Sequence, residues 1–215
     1  MVEIATFEDL LPRVRYDLSE VTAVTWSDDE LYTYLNEGYK LIYNIISAEA
    51  PEWLLTQVSI TAPSGSFLID LPADCMYVRS ISRKDDGVFL SKVPVEDCWK
   101  MTTTSGNPSY WARYGQNQLL IAPKPQEDTD LYLFYIPYAQ DLTSTDEIPL
   151  PAPFHQFIVE YAVIRAHNRN ERPSLVEQNF LVLKLDMIRS ILNAEGSLMT
   201  ASPGNYLTVV ESEYW

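Results

Sequence analysis

The chain has 215 residues, of which 47% are hydrophobic and 21% are charged. A chain of this size and composition can bury a core, which excludes a disordered or fibrous protein. Thirty acidic and fifteen basic residues give a net charge of −15, which repels phosphate backbones and anionic lipids. We therefore expect no tight binding to nucleic acid and no membrane partner.

The N-terminal residues and the cysteines indicate where the protein is made. Glu3, Glu8 and Asp9 stand where a secretory signal peptide needs basic residues, and no apolar run approaches the length of a membrane span. Cys75 and Cys98 are the only cysteines, and a chain of this size needs no disulfide. We expect a protein that is not exported by a signal peptide, with both thiols reduced as in the cytosol.

Two helices are predicted before residue 52. Thr6 followed by Asp9 resembles a capping box and starts a short helix. Ser27 followed by acidic residues at 28–30 is a second N-cap, and Pro51 closes a helix that we expect at residues 28–49. Apolar residues and tyrosines cover more than one stripe of this second helix, so we expect neighbours on two sides. The candidates for a subunit interface are Tyr32, Tyr39 and Tyr43.

Between residues 53 and 140 the period of the apolar residues changes to two, which is typical of β-strands. Three hairpins are predicted, formed by residues 58–60 with 67–71, 77–82 with 88–93, and 110–114 with 118–122. Asp86-Gly87 supplies the tight turn of the second hairpin, and residues 131–136 form a last strand. No crossover helix is evident, so we expect an antiparallel sheet.

Helical spacing returns after three closely spaced prolines at positions 149, 151 and 153. It predicts a third helix to about His167 and, from a capping box at residues 174–177, a fourth helix that ends at Gly196. Together these elements predict an α+β fold: an antiparallel four-helix bundle with an inserted antiparallel β-domain and an extended C-terminal arm. The predicted parts are residues 1–52 and 150–196 for the two halves of the bundle, 53–149 for the β-domain and 197–215 for the arm.

The sequence offers little for catalysis. Its seven glycines form neither a phosphate-binding loop nor a dinucleotide fingerprint, and it has no serine-hydrolase elbow. His155 and His167 lie on one predicted helix without metal-ligand spacing, so we interpret them as a packing residue and a helix C-terminal residue. We expect no enzyme, no metal and no other cofactor.

An alternative function uses carboxylates and aromatic rings. The loop pairs Glu96-Asp97, Asp128/Asp130 and Asp146-Glu147 are candidates for glycoside hydrolysis, and Trp99 and Trp111 are candidates for stacking on sugar rings. This hypothesis of a carbohydrate-binding or glycan-cleaving protein needs both tryptophans and loop carboxylates to converge in one cleft. Acidic loop residues are more often solvated turn formers, and aromatics in a sheet more often fill a core or an interface.

The C-terminal residues are the part least explained by a monomer. Alternating residues follow a Pro-Gly break and the chain ends in Tyr214-Trp215, whereas termini are ordinarily polar. One interpretation is a strand that docks on the chain's own sheet. The other is an arm that adds to a neighbouring chain, with binding candidates Tyr206, Leu207, Val209, Val210, Tyr214 and Trp215.

Two segments resemble the head-to-tail adaptor proteins of tailed bacteriophages, also called connector or head-completion proteins. They are residues 28–39 (DDELYTYLNEGY) and residues 148–162 (IPLPAPFHQFIVEYA). The order of parts is similar too, with two helices, a β region, two helices and an arm. The large β region resembles the adaptors of short-tailed phages more than the compact helical ones.

The resemblance implies a structural virion protein in the neck between head and tail, made in the host cytoplasm. Such adaptors form a homododecameric ring below the portal, bind the portal, and present a surface to a tail or nozzle protein during tail assembly and genome packaging. Genomic DNA passes through the ring. Twelve copies would carry roughly 180 negative charges, and a like-charged wall lets DNA slide without sticking. The remaining alternative is a self-contained monomeric domain without an assembly role.

Overall fold

A computed structural model of the chain describes residues 5–20, 25–168, 186–188 and 190–191. These residues form two compact units. The helical unit takes its described residues from Met1–Ala50 and Asp141–Trp215, and the β unit is Pro51–Gln140. Among the described helices none is long and apolar enough to cross a membrane. The division of the chain into four parts stays a prediction.

Helix α1 is Phe7–Asp17 and begins at the predicted capping box. The side chain of Thr6 accepts a hydrogen bond from the backbone nitrogen of Asp9 at 3.3 Å, and the Asp9 carboxylate accepts one from the backbone nitrogen of Thr6 at 2.8 Å. Two otherwise unpaired backbone donors are thereby satisfied. The apolar residues that α1 buries are Phe7, Leu10 and Val14.

Helix α2 is Asp28–Glu49, which confirms the predicted bounds. The Ser27 side chain caps it by accepting from the backbone nitrogen of Glu30 at 3.3 Å, and three acidic residues in the first turn oppose the positive end of the helix dipole. Its buried residues fall on more than one stripe, as expected: Leu31, Leu35, Gly38, Tyr39, Ile42, Tyr43, Ile46 and Ser47.

Helix α4 is Ala152–His167 and contacts both α1 and α2. Its buried side chains spread over more than half of its circumference, which is typical of a helix covered by several neighbours. They are Phe154, Phe157, Ile158, Val159, Ala162 and Ala166. Helix α4 is therefore the central helix among the described helices of this unit.

The segment that leads into α4 is held against the start of α1. The backbone nitrogen of Glu8 donates to the carbonyl oxygen of Ser144 at 3.0 Å, and the backbone nitrogen of Ile148 donates to the carbonyl oxygen of Ala5 at 3.0 Å. Ile148 and Leu150 are buried. Main-chain hydrogen bonds to the start of α1 and the burial of Ile148 and Leu150 together hold this irregular segment in place.

The β unit opens with a 3₁₀ turn, Pro51–Leu54, and contains seven strands and one helix. The strands are β1 Thr56–Ala62, β2 Leu68–Asp70, β3 Cys75–Arg83, β4 Ser91–Lys92, β5 Tyr110–Tyr114, β6 Gln118–Ala122 and β7 Thr129–Pro137, and helix α3 is Val95–Met101. One sheet has the order β1-β7-β3 and the other the order β2-β6-β5-β4.

Strand β6 is buried on both faces. Leu119 and Ile121 lie in the core between the two sheets, together with Leu131 and Leu133 of β7. Leu120 and Ala122 point the other way and pack with Cys98 of α3. The β unit therefore has three layers: the three-stranded sheet, the four-stranded sheet and α3. A strand that is covered on both faces has consecutive apolar residues in its sequence, as residues 119–122 show.

The expected antiparallel four-helix bundle is wrong. Four helices of seven or more residues occur in the described part of the chain, but α3 belongs to the β unit, so α1, α2 and α4 pack without it. The predicted helix at 174–196 falls mostly outside the described residues. Only residues 186–188 and 190–191 of it are described, and these are helical. The described architecture is α+β with two sheets. Local periodicity identified α1, α2 and α4 but carries no information on which elements pack together.

The first predicted hairpin is also wrong. Residues 58–60 belong to β1, which pairs with β7, whereas β2 pairs with β6 in the other sheet. The turn between β1 and β2 is hydrogen-bonded to the segment between β6 and β7, since the backbone nitrogen of Gly65 donates to the carbonyl oxygen of Pro125 at 2.8 Å. Adjacent strands separated by a turn signal form a hairpin only when both belong to one sheet.

The other two predicted hairpins have different outcomes. Strands β5 and β6 pair antiparallel as predicted, with Gly115 at a positive φ of 66° in the turn. Gly87 likewise has a φ of 70° in the turn after β3, and residues 88–90 pair antiparallel with residues 81–83, so the second hairpin forms over its first residues. Residues 91–92 then enter the second sheet, where β4 pairs parallel with β5. The expected purely antiparallel arrangement is therefore wrong, since α3 makes the connection that a parallel pair requires.

Gly38 should be needed for α2 and α4 to pack. A Cβ atom at this position would lie 3.0 Å from Cδ1 of Tyr161 and 3.3 Å from the carbonyl oxygen of Ile158. We expect Gly38→Val to lower the free energy of unfolding by about 2 kcal/mol or more through overpacking, measured by chemical denaturation. Asn44→Val, on an exposed position of the same helix, is the control and should change it by less than about 0.5 kcal/mol. Equal effects of the two valines would contradict this explanation.

Candidate assembly surfaces

The predicted interface tyrosines lie at different depths in α2. Tyr39 and Tyr43 are buried, and their rings make an edge-to-face contact with centroids 5.8 Å apart. Burial raises the pKa of Tyr39, so its hydroxyl stays neutral. Tyr32 is only partly buried. The subunit-interface role of the three tyrosines stays a prediction, and Tyr32 is the one with the most accessible ring. All six predicted arm residues, from Tyr206 to Trp215, lie outside the described residues.

The loop carboxylates hold local structure. Four of the six candidates accept hydrogen bonds or pair with a cation. Asp97 pairs with Lys100 at 2.9 Å, Asp128 accepts from the backbone nitrogen of Ser64 at 2.8 Å, Asp130 accepts from the Thr61 hydroxyl at 2.9 Å, and Asp146 accepts from the backbone nitrogen of Thr143 at 2.7 Å. These contacts are typical of turn-forming residues.

The two tryptophans proposed for sugar binding lie on opposite faces of the four-stranded sheet. Trp111 is 2% exposed and belongs to the core between the sheets. Trp99 lies on α3, on the other face, and is 46% exposed. The convergence in one cleft that the carbohydrate hypothesis needs does not occur between these two residues.

Trp99 is instead the centre of an exposed aromatic surface. Its ring stacks on Tyr114 with centroids 6.1 Å apart and contacts Phe67 edge to face at 5.3 Å. Val95 and Tyr114 line a shallow depression of about 430 Å³ beside it. We call Phe67, Val95, Trp99 and Tyr114 the α3 platform. Sequence reasoning missed it because α3 was not predicted, although acidic residues at 96–97 and apolar residues three apart at 95, 98 and 101 give a helical signal.

A second exposed apolar pair lies at the turn after β3. Phe89 is 60% exposed and Val88 is 48% exposed. The Phe89 ring lies 6.1 Å from the ring of Phe134 on β7. The predicted turn at Asp86-Gly87 thus presents apolar side chains next to it.

A depression of about 850 Å³ in the β unit is acidic. Its lining includes Asp85, Glu127, Asp128 and Asp130, with Lys84 3.8 Å from the Asp130 carboxylate. Among the described residues no group of three or more histidine, cysteine or acidic side chains is arranged to hold a metal ion.

The histidines and cysteines have structural environments. Nε2 of His155 lies 2.9 Å from the carbonyl oxygen of Leu150, and burial lowers the pKa of this imidazole. His167 contacts Trp26 edge to face at 6.3 Å. Cys75 and Cys98 are free and buried, and burial raises the pKa of Cys98 to about 11. Thiols in such surroundings react slowly.

The two segments that resemble phage adaptors meet inside the helical unit. The Asn36 side chain donates to the carbonyl oxygen of Leu142 at 2.7 Å and accepts from its backbone nitrogen at 2.9 Å. Glu37 pairs with Arg165 of α4 at 3.0 Å, and Gly38 lies against Tyr161. Three consecutive residues of the first segment thus fix the second segment and the residues just before it.

Comparison with protein families gives a match over nearly the whole chain. The model of the SU10 adaptor protein family matches residues 5–205. The chain belongs to this family. It is therefore a structural adaptor protein of a bacteriophage particle, and the resemblance stated from the sequence is confirmed. No curated protein matches the chain. The short-tailed type stays a prediction.

The residues that identify the adaptor are separate from its exposed apolar surfaces. Asn36, Glu37 and Gly38 make contacts within the helical unit, whereas the α3 platform and the Val88-Phe89 pair are in the β unit. These three residues therefore stabilise the helical unit, whereas exposed aromatic side chains occur in both units, since Tyr16 of α1 is 80% exposed.

Asn36 should stabilise the adaptor through both of its hydrogen bonds to Leu142. Asn36→Asp keeps an acceptor for the Leu142 nitrogen but places a carboxylate against the Leu142 carbonyl oxygen. We expect a loss of about 1–3 kcal/mol in the free energy of unfolding, measured by urea denaturation. Asn44→Asp, the same chemical change at an exposed position of the same helix, is the control. An Asn36→Asp variant as stable as this control would show that the two bonds contribute nothing.

Proposed function

We propose that the adaptor forms a twelve-fold ring between the portal and the tail, that it binds the portal protein and a tail or nozzle protein, and that genomic DNA passes through the ring. The observation that carries the proposal is the family match over residues 5–205, which spans nearly the whole chain. The place of action is the neck of the virion, after synthesis in the host cytoplasm. A structural role of this kind requires neither catalysis nor a cofactor.

The charge distribution supports a wall along which DNA slides. The β unit has ten acidic and seven basic residues, so most of the net charge of −15 comes from residues 1–50 and 141–215. A like-charged surface prevents the phosphate contacts that dominate nucleic-acid affinity. Segments of the helical unit are therefore the better candidates to face the DNA.

The exposed apolar residues of the β unit support contacts with other proteins. Trp99, Tyr114, Val88 and Phe89 are each at least 40% exposed. Exposed aromatic patches are a burden for an isolated soluble protein and often mark interaction sites. We assign the α3 platform and the Val88-Phe89 pair to contacts with neighbouring subunits or the tail. In α2, Tyr32 takes the predicted subunit-interface role.

The oligomeric state with and without portal tests this function. Native mass spectrometry and electron microscopy would be applied to the adaptor alone, to the portal alone and to their mixture. We expect a complex with twelve adaptors on each portal ring, whether or not the ring forms without portal. An adaptor that stays monomeric in the presence of portal would overturn the proposal.

Weak binding to duplex DNA follows from the acidic charge. Residues 1–50 alone contain ten acidic and three basic residues. We expect no binding of a fluorescent 30-base-pair duplex at about 1 μM protein and physiological salt, measured by anisotropy. A sub-micromolar dissociation constant would contradict the sliding role.

Removal of the arm should separate folding from assembly. We propose that Tyr206, Leu207, Val209, Val210, Tyr214 and Trp215 bind the portal or an adjacent subunit. A chain truncated after Ser202 is expected to keep its melting temperature within about 2 °C and to lose attachment in the native mass spectrum of the portal mixture. If the truncated monomer instead unfolds, the C-terminal strand belongs to the chain's own sheet.

A further inference from the structure

The edges of the two sheets are unequally protected. Strands β2 and β4 are edges of only three and two residues. Edge β3 has bulges between Cys75 and Tyr77 and between Val78 and Ser80. The carbonyl oxygens of Cys75 and Met76 also accept hydrogen bonds from Arg113, at 3.2 and 2.7 Å. Short edges, bulges and covered carbonyl groups all prevent pairing with another chain.

Strand β1 has none of these protections. Its seven residues, TQVSITA, include no charge, no proline and no glycine, and its register with β7 is regular from Thr56 to Ala62. Within the part of the chain that the structure describes, its main-chain pairing is with β7 alone, so its other edge remains a template for one more strand.

The side chains of β1 indicate what an added strand needs. Val58 and Ile60 pack against the core between the sheets but are only partly buried. Gln57, Ser59 and Thr61 alternate with them and are exposed. A strand with two apolar residues at alternate positions would cover the exposed parts of Val58 and Ile60.

Residues 206–210 of this chain match that requirement. Leu207 and Val209 are apolar and two apart, and Tyr206 and Thr208 alternate with them. The segment is uncharged, as β1 is, and acidic residues come only after it, at 211 and 213. Residue 206 is 15 positions beyond residue 191, and a fully extended chain spans about 50 Å over that number of residues.

We infer that residues 206–210 of one adaptor add as a strand to the free edge of β1 in a second copy. Leu207 and Val209 lie beside Val58 and Ile60, and Thr208 shares the outer face with Ser59. Such a contact is heterologous, because it joins different surfaces of the two copies, and it can therefore repeat around a ring. The inference rests on the proposed function, since it requires assembled copies.

Disulfide cross-linking between separately purified variants tests the contact. Ser59→Cys and Thr208→Cys would be mixed in equal amounts, assembled on portal, oxidised mildly and run on a non-reducing gel. We expect a covalent dimer in the mixture and none for either variant alone. The wild-type chain is the background control, because Cys75 and Cys98 are buried.

The neighbouring positions give the face and the register. With Thr208→Cys as the partner, Gln57→Cys and Thr61→Cys lie on the same face as Ser59→Cys and define the register by relative yield. Val58→Cys is the matched control on the opposite face and should give at least tenfold less dimer than the best of the three.

Each contrary outcome identifies what fails. If a ring forms on portal but none of the three same-face positions cross-links, the inference is overturned and the proposed function stands. Dimers of Ser59→Cys alone would show that β1 pairs with a second β1, and a disulfide formed only within a doubly substituted chain would show that the strand binds its own copy. Both results overturn the inference. If no ring forms with portal, the proposed function fails and the inference fails with it.

Discussion

The close approach of α4 to Gly38 of α2 joins two parts of the chain that the β unit separates. Asn36 and Glu37, beside Gly38, bind residues 106 and 128 positions further along. Closing a flexible loop of about 100 residues costs roughly 4 kcal/mol of chain entropy. The two hydrogen bonds of Asn36 return about 1 kcal/mol each. Burial of the apolar side chains of α4 must therefore supply most of the stabilisation, and it requires a residue without a side chain at position 38.

The elements predicted best are those whose signals are local. Helix α2 begins and ends at the expected residues because Ser27, three acidic residues and Pro51 specify both ends within one turn. The β5–β6 hairpin was predicted because both strands and their turn lie within 13 residues. Strand β1 was paired wrongly because its partner β7 begins 67 residues after the end of β1. No local pattern specifies such a partner.

The sequence predicted less of the candidate surfaces, for a related reason. Trp99 and Trp111 were considered together because both are large aromatics of the β region. The side of the four-stranded sheet on which each tryptophan lies depends on the position of α3. This helix of seven residues follows Pro94 and was not predicted from the sequence. Once α3 covers one face of the four-stranded sheet, Trp111 faces the core and Trp99 faces outward. The two segments that resemble adaptors, by contrast, contact each other within the helical unit through Gly38 and Tyr161, and Glu37 of the first segment pairs with Arg165 of α4.

The net charge and the exposed apolar surfaces oppose each other in an adaptor that has to assemble in order. A monomer with an unprotected β1 edge and an exposed α3 platform has surfaces that favour association. The charge of −15 on each copy opposes association, but its repulsion decays over about 8 Å at physiological salt. Repulsion therefore slows the approach of free copies and adds little once two surfaces touch. In the proposed ring, a portal that held copies at fixed spacing would overcome the repulsion by raising their effective concentration, and the short-range contacts would then determine the assembly.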